Sequence, residues 1–199
     1  VRQKSIDKVY SRISRWNRLK NNRNLLTFVS GCILPADQEK FLKLFDLVFT
    51  MSELPSLPEM IRQYGVVTWH APVMRSAHAI RDFWMLKPTY VSDFEAFIPI
   101  QNGCDKFCTF CAVPYTRGRE ISRPSAEILQ ELKQLVEKGY KSITLLGQNV
   151  NSYGLDKHGG EPGFPGLLKQ IGEYGRQSGK EFWVYFTSPH PRDMRDEVL

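Results

Sequence analysis

No apolar run in these 199 residues approaches the ~18–20 needed for a membrane span, so nothing here reads as a transmembrane segment. The start, Val1-Arg2-Gln3, is basic and has no apolar stretch behind it, so we do not expect it to be a secretory signal peptide. It also lacks an initiator Met, and we expect the sequence to begin inside a longer chain. There is no internal repeat and no low-complexity tract, and 12% aromatic residues argue against disorder. Acidic residues are scarce at the front: residues 1–23 carry eight Lys/Arg (Arg2, Lys4, Lys8, Arg12, Arg15, Arg18, Lys20, Arg23) against Asp7 alone. That segment is +7 while the remainder is close to neutral, so the basic excess is a patch rather than a field over the whole protein. Phosphate contact and a simply solvated helix face both account for it.

Cysteine is sparse, with four residues, yet three of them crowd into Gly103-Cys104-Asp105-Lys106-Phe107-Cys108-Thr109-Phe110-Cys111. A disulfide framework does not fit, because only Cys32 lies elsewhere to pair with them. Without a secretory signal the compartment is expected to be cytoplasmic and reducing, where clustered thiols serve metals or catalysis. Structural zinc wants four ligands, and none of His70, His78, His158 or His190 sits at knuckle spacing to the cluster. Three soft thiolates on one short loop suit an iron–sulfur cube with one iron left open, and zinc stays the competing reading.

Hydrophobic spacing predicts an α/β protein. A helix over 5–19, ended at Asn21-Asn22, places Ile6, Val9, Tyr10, Ile13 and Trp16 on one side and most basic residues on the other. Strands are expected at Leu25–Val29 (buried) and Leu47–Thr50, with helices at Ala36–Phe45 and Leu57–Tyr64. Residues 65–95 lose periodicity and read as a connection. Strand Ala96–Ile100 then leads into the cysteine loop. A helix capped by Ser122 or Ser125 and stopped at Gly139 follows, with Ile128, Leu132, Leu135 and Val136 as its apolar stripe. Next come strand Ser142–Leu146, helix Phe164–Arg176 and strand Phe182–Thr187. Three strands alternating with helices imply a parallel sheet whose carboxyl-end loops, Cys104–Cys111, Gln148–Asn151 and Ser188–His190, share one rim. Three strands are too few for a closed barrel.

The stretch Ile98–Cys104 continuing through Cys111-Ala112-Val113-Pro114-Tyr115-Thr116-Arg117-Gly118-Arg119-Glu120 resembles the radical S-adenosylmethionine methylthiotransferases. The C-x3-C-x2-C loop with Phe110 before its last cysteine is similar to the radical-SAM signature. Pro114–Gly118 followed by Ser122-Arg123-Pro124 is similar to the methylthiotransferases, and Leu145–Gly154 with Thr187–Pro191 to their tRNA branch. The resemblance implies that residues 1–66 are the C-terminal half of a small α/β methylthiotransferase N-terminal domain. Residues 67–92 would be a linker, and 93–199 the first strands and helices of a partial radical-SAM (β/α) barrel, about half of one.

It further implies that Cys104, Cys108 and Cys111 ligate a [4Fe–4S] cluster whose fourth iron is chelated by S-adenosylmethionine. Cys32 would contribute to a second [4Fe–4S] cluster in the full-length protein, although two of that cluster's expected cysteines would lie upstream of Val1. The implied activity is conversion of N6-dimethylallyladenosine at position 37 of tRNA to its 2-methylthio derivative, with tRNA and a reducing electron donor as partners, no membrane, and a monomeric, cytoplasmic protein. As an internal fragment, the chain is not expected to be active alone. No side chain is assigned a catalytic role of its own.

Phe110 reads either as an apolar wall against the cofactor's adenine or as a core anchor. Gln148, Asn149 and Asn151 read either as amides for the cofactor's polar groups or as turn formers. Arg117, Arg119 and Arg123 suit phosphate or the cofactor carboxylate, or plain solvation, and His190 between two prolines reads as structural. The same chemistry on threonylcarbamoyl-adenosine tRNA or a ribosomal protein is the sibling reading. A non-enzymatic iron–sulfur or zinc module, with Cys32 as fourth ligand, is the alternative from another class.

Overall fold

In a computed structural model the described residues are 3–20, 23, 25–64 and 77–198, with residues 3 and 77–79 described by their backbone alone. Asn21 and Asn22, expected to end the first helix, lie outside them, as does most of the front of the expected 67–92 linker. The chain forms two compact units of mixed α/β structure, Val1–Leu86 with Phe107–Arg117, and Lys87–Lys106 with Gly118–Leu199.

The first unit opens with α1 (Gln3–Lys20), followed by β1 (Phe28–Ser30), α2 (Pro35–Leu42), β2 (Leu47–Phe49), a 3-10 turn over 51–56, α3 (Leu57–Arg62) and α4 (Ala77–Trp84). Spacing along α1 puts Val9, Tyr10 and Ile13 on one side, and Ile13 is buried with Phe41 and Phe45. Tyr10 stacks on Phe41 at 5.6 Å between ring centres. β1 and β2 pair in parallel, Phe28 opposite Leu47 and Ser30 opposite Phe49. The expected buried strand at Leu25–Val29 is corrected to Phe28–Ser30, with Leu25 and Phe28 exposed. A two-stranded ribbon gives β1 one neighbour and one covered side, so its apolar run does not translate into full burial. Asp46 staples α1 to this ribbon: its carboxylate accepts from Lys20 Nζ (2.5 Å), Thr27 N and Thr27 Oγ1 (both 2.7 Å), and Tyr64 OH (2.5 Å). Burial pushes the Asp46 carboxyl up, but these donors outweigh it and hold it well below the usual range. α4 corrects the expected connection over 65–95: Ile80, Phe83 and Trp84 recur at helical spacing, and Ile80 and Trp84 are buried.

The second unit carries β3 (Glu95–Pro99), β4 (Gln101–Asn102), β5 (Ile121–Ser122), α6 (Ser125–Glu137), β6 (Ser142–Leu146), α7 (Gly163–Ser178) and β7 (Trp183–Phe186). The remaining short helix, α5 (Val113–Arg117), belongs to the first unit. β3, β6 and β7 form a parallel sheet in that order, with Ile98 beside Leu145 and Leu145 beside Phe186. One face packs Ala96, Ile98, Ile143 and Leu145 against Ile128, Leu132, Leu135 and Val136 of α6 and Phe164, Leu167 and Ile171 of α7. Burying such side chains supplies about 1.5–3 kcal/mol each, so this is the unit's main source of stability. The opposite face leaves Phe97, Trp183 and Tyr185 exposed. α6 begins after Pro124 with no side-chain cap, so neither Ser122 nor Ser125 caps it; the Ser125 N–H donates instead to Glu161 (2.9 Å). Gly139 (φ +98°) ends α6 as expected, letting the Tyr140 N–H return to the Leu135 carbonyl.

Candidate functional site

Three loops leave the carboxyl ends of β3, β6 and β7, and in the second unit their residues bond to one another. Gln101, the first residue of β4 and two positions past the end of β3, turns its Oε1 to the backbone N–H groups of Gln148 (3.0 Å) and Asn149 (3.3 Å). Its Nε2 donates to Ser152 Oγ (3.3 Å). Asn151 clasps the loop after β7 in both directions: its Nδ2 donates to the His190 carbonyl (2.9 Å), and its Oδ1 accepts from the His190 N–H (2.8 Å). His190 also accepts the Arg192 N–H at Nδ1 (3.2 Å), a structural use of that residue. Asn149 is 1% exposed and donates from Nδ2 to Asp193 (2.7 Å), while its Oδ1 is buried with no partner. Gln148 stays half-exposed between these fixed neighbours.

The cysteine loop is anchored to this rim at its start. Gly103 has φ +78°, and a Cβ there would lie 2.0 Å from the Arg119 carbonyl oxygen, so only glycine lets the two backbones approach. Cys104, nearly buried, donates its N–H to the Gly118 carbonyl (3.2 Å). Asp105 accepts from the Glu120 N–H (3.0 Å) and pairs with Arg119 (2.7 Å). Lys106 reaches Asp193, with Nζ 2.6 and 2.8 Å from its two carboxylate oxygens. Asp193 thus ties the cysteine loop to Asn149 and the β6 end. Burial raises its carboxyl, but bonds from Lys106 and Asn149 prevail and hold it below the ordinary value.

Residues 107–117 lie in the first unit. There the Cys111 N–H donates to the Cys108 carbonyl (2.9 Å), Phe107 meets Tyr115 edge-on at 6.2 Å, and Phe107 takes a left-handed φ of +48°. Phe110 is 92% exposed, which removes the core-anchor reading and leaves a bare ring beside the thiols. Arg117 Nε donates to Cys32 Sγ (3.2 Å), giving that sulfur a cationic neighbour. Arg123 is buried and spent on Glu127 and Glu131, so it is a structural ion-pair partner rather than a phosphate or carboxylate ligand.

None of the four cysteines is in a disulfide. Three within eight residues, unbridged, form a donor set whose chemistry fits an iron–sulfur cluster. Among the described residues, no three His, Cys, Asp or Glu side chains converge on a common metal position.

Spacing did not point to Glu120 or Asp193. Glu120 is 8% exposed, with Oε2 accepting from Ser152 Oγ (2.6 Å) and Oε1 buried without a partner. Burial, aided by Asp156 and Asp105 nearby and opposed by bonds from Ser152 and Gln101, pushes its carboxyl up to about 7. A single acid inside Arg117–Arg123 was the only trace it left in the sequence, and a charge count reads such an acid as solvated.

Residues 98–199 match the Radical SAM superfamily. Over its whole length the chain is 41% identical to the tRNA-2-methylthio-N(6)-dimethylallyladenosine synthase of Geobacter metallireducens (strain ATCC 53774 / DSM 7210 / GS-15), of which it covers 45%. It is 38% identical to the protein of that name from Marinomonas sp. (strain MWYL1), covering 44%, and 40% identical to that of Ruegeria sp. (strain TM1040), covering 45%. The chain therefore spans less than half the length of these curated relatives. With that match over about half its residues, laid on a parallel sheet whose first strand runs into three clustered thiols, the chain belongs to the radical SAM superfamily.

Proposed function

We propose that this chain is part of a tRNA methylthiotransferase that converts N6-dimethylallyladenosine, at position 37 beside the anticodon, to its 2-methylthio derivative. The observation that carries the reading is the 37–41% identity, over all of this chain, to synthases named for that product. Cys104, Cys108 and Cys111 hold a [4Fe–4S] cluster, supported by their lacking disulfides, their close spacing and the anchoring of their loop at Gly103 and Lys106. When bound, the cluster and S-adenosylmethionine supply the electron and the radical that removes hydrogen from C2 of the adenine.

The protein's share is position and exclusion of water. Phe110 offers its bare ring to the cofactor's adenine, and Gln148 offers an amide whose backbone Gln101 already fixes. Asn149 keeps one buried, unsatisfied Oδ1 for a cofactor donor, while Asp193 holds its Nδ2 and so its orientation. Cys32 serves a second [4Fe–4S] cluster in the full-length protein, with Arg117 beside its sulfur. Residues 1–66 then complete an N-terminal domain, 67–92 link, and 93–199 open a (β/α) barrel. The enzyme works in the cytoplasm as a monomer, with a reducing electron donor as partner.

The test is nucleoside mass spectrometry of tRNA from cells lacking the gene, with and without the intact protein restored. The 2-methylthio form should return with the parent and not with Cys108→Ala. Accumulation of unthiolated threonylcarbamoyl-adenosine instead would move the substrate to the sibling reading.

A further inference from the structure

We propose that the exposed face of α1 is a docking surface for the phosphate backbone of the RNA substrate; this deepens the tRNA reading above and rests on it. At 3.6 residues per turn, Lys4, Lys8, Arg12, Arg15 and Arg18 fall within a third of the helix circumference. All five are exposed, whereas Val9, Tyr10 and Ile13 on the other side pack against Phe41 and Phe45. The stripe rises about 21 Å from Lys4 to Arg18, the axial length of about six phosphates on one strand of a duplex. Leu19 and, at its border, Trp16 are partly exposed, giving flat apolar surface beside the cations.

A merely solvated helix face does not explain this arrangement. Solvated faces usually alternate sign, so that each base finds an acid three or four residues away. Here Lys4–Lys8 and Lys8–Arg12 are like charges at i,i+4, and Arg12–Arg15 and Arg15–Arg18 are like charges at i,i+3. Each such pair costs an isolated helix rather than supporting it. Lys4 also stands at the helix N-terminus, where the dipole disfavours a cation. Asp7 is the one acid in the eighteen residues. Among the described residues the ion pair from this helix is Lys20 to Asp46, on the packed side, and Lys4, Lys8, Arg12 and Arg15 make none. Arg18 donates Nε to the Ser14 carbonyl of its own helix, leaving the fork of the guanidinium outward. Repulsion along the helix is relieved by a polyanion laid across it, and counterion release would drive that binding.

The experiment measures fluorescence anisotropy of a labelled anticodon stem-loop carrying N6-dimethylallyladenosine, bound to the intact protein between 50 and 200 mM KCl. The variant is Lys8→Gln with Arg12→Gln and Arg15→Gln. Its control, with the same loss of charge elsewhere, is Lys138→Gln with Lys169→Gln and Arg176→Gln, all exposed. Helix content by circular dichroism accompanies both.

The α1 variant should bind more weakly, with a salt slope shallower by about 2–3. The gap between parent and variant should then narrow about 16- to 64-fold from 50 to 200 mM KCl. Parent and control should follow one line. Equal weakening in variant and control would reduce the effect to net charge and overturn the proposal, as would a variant that binds like the parent. Because the readout is binding, a protein that binds RNA through α1 but never thiomethylates it would sink the functional reading and leave the surface standing.

Discussion

Replacing Glu120 by glutamine should make the protein's stability less sensitive to pH between 5 and 8. In the folded state the carboxyl is pushed from 4.5 to about 7, first by burial and then by Asp156 and Asp105. Between those values the unfolded chain releases the proton while the folded chain keeps it. The unfolded state then binds fewer protons, so stability falls as pH rises from about 4.5 towards 7 and levels off above it. A displacement of that size corresponds to about 3 kcal/mol.

The neighbours show why the neutral form suits the site. Ser152 Oγ lies 2.6 Å from Glu120 Oε2, 2.8 Å from the Asn149 carbonyl and 3.3 Å from Gln101 Nε2. A hydroxyl has one proton to give. With Glu120 ionised, Ser152 must choose between carboxylate and carbonyl. With Glu120 protonated, the acid donates to Ser152, Ser152 donates to Asn149, and the Ser152 hydroxyl serves both neighbours at once. A glutamine amide donates in the same direction at nearly the same volume. Urea unfolding followed by tryptophan fluorescence at pH 5 and pH 8 measures this. The parent should lose about 2.5 kcal/mol more than Glu120→Gln over that interval; parallel pH dependence in the two proteins would refute the reasoning.

Gly103→Ala drives a Cβ into the Arg119 carbonyl at 2.0 Å and strains a left-handed backbone, so it should cost about 2–4 kcal/mol and reduce iron retention. Its companion Gly172→Ala, in α7 with open space around it, should stabilise by about 0.5–1 kcal/mol in the same denaturant titration. Asp193→Ala leaves Lys106 and Asn149 without their acceptor in a largely buried site, an expected loss of about 2–4 kcal/mol in urea unfolding. Since the Asp193 carboxyl is held below its ordinary value, its contribution should persist above about pH 4 and fade on further acidification; a loss that stays constant below pH 4 would contradict the pairing.

Where side chains alternate or recur with a period, the sequence was readable. β6 occupies its expected residues, and the stripe Ile128, Leu132, Leu135 and Val136 is the buried side of α6. Short elements were less so. α4 does place Ile80, Phe83 and Trp84 at helical spacing, but over only two turns inside a stretch read as a connection, and β1 takes only Phe28 and Val29 from an apolar run whose remainder is not strand. The meeting of the loops after β3, β6 and β7 followed from strand alternation alone, because parallel strands put their carboxyl ends on one side. What escaped was the wiring. Gln101, Glu120 and Asp193 are polar residues whose burial is set by contacts 32 to 51 positions away along the chain, and local pattern carries no trace of such partners. Asn149 and Asn151 show the same limit: their place in the loop was visible, their attachment to Asp193 and His190 was not.

The central claim is that three thiolates on the loop after β3 carry an iron–sulfur cluster with one iron open to S-adenosylmethionine. Iron, acid-labile sulfide and zinc counted after anaerobic reconstitution test it most directly, for the parent, Cys32→Ala and Cys108→Ala. The account predicts about four irons and four sulfides bound through this loop, retained in Cys32→Ala and lost in Cys108→Ala. About one zinc without iron, or a cluster that disappears with Cys32 as readily as with Cys108, would contradict it and describe a closed metal-binding module instead.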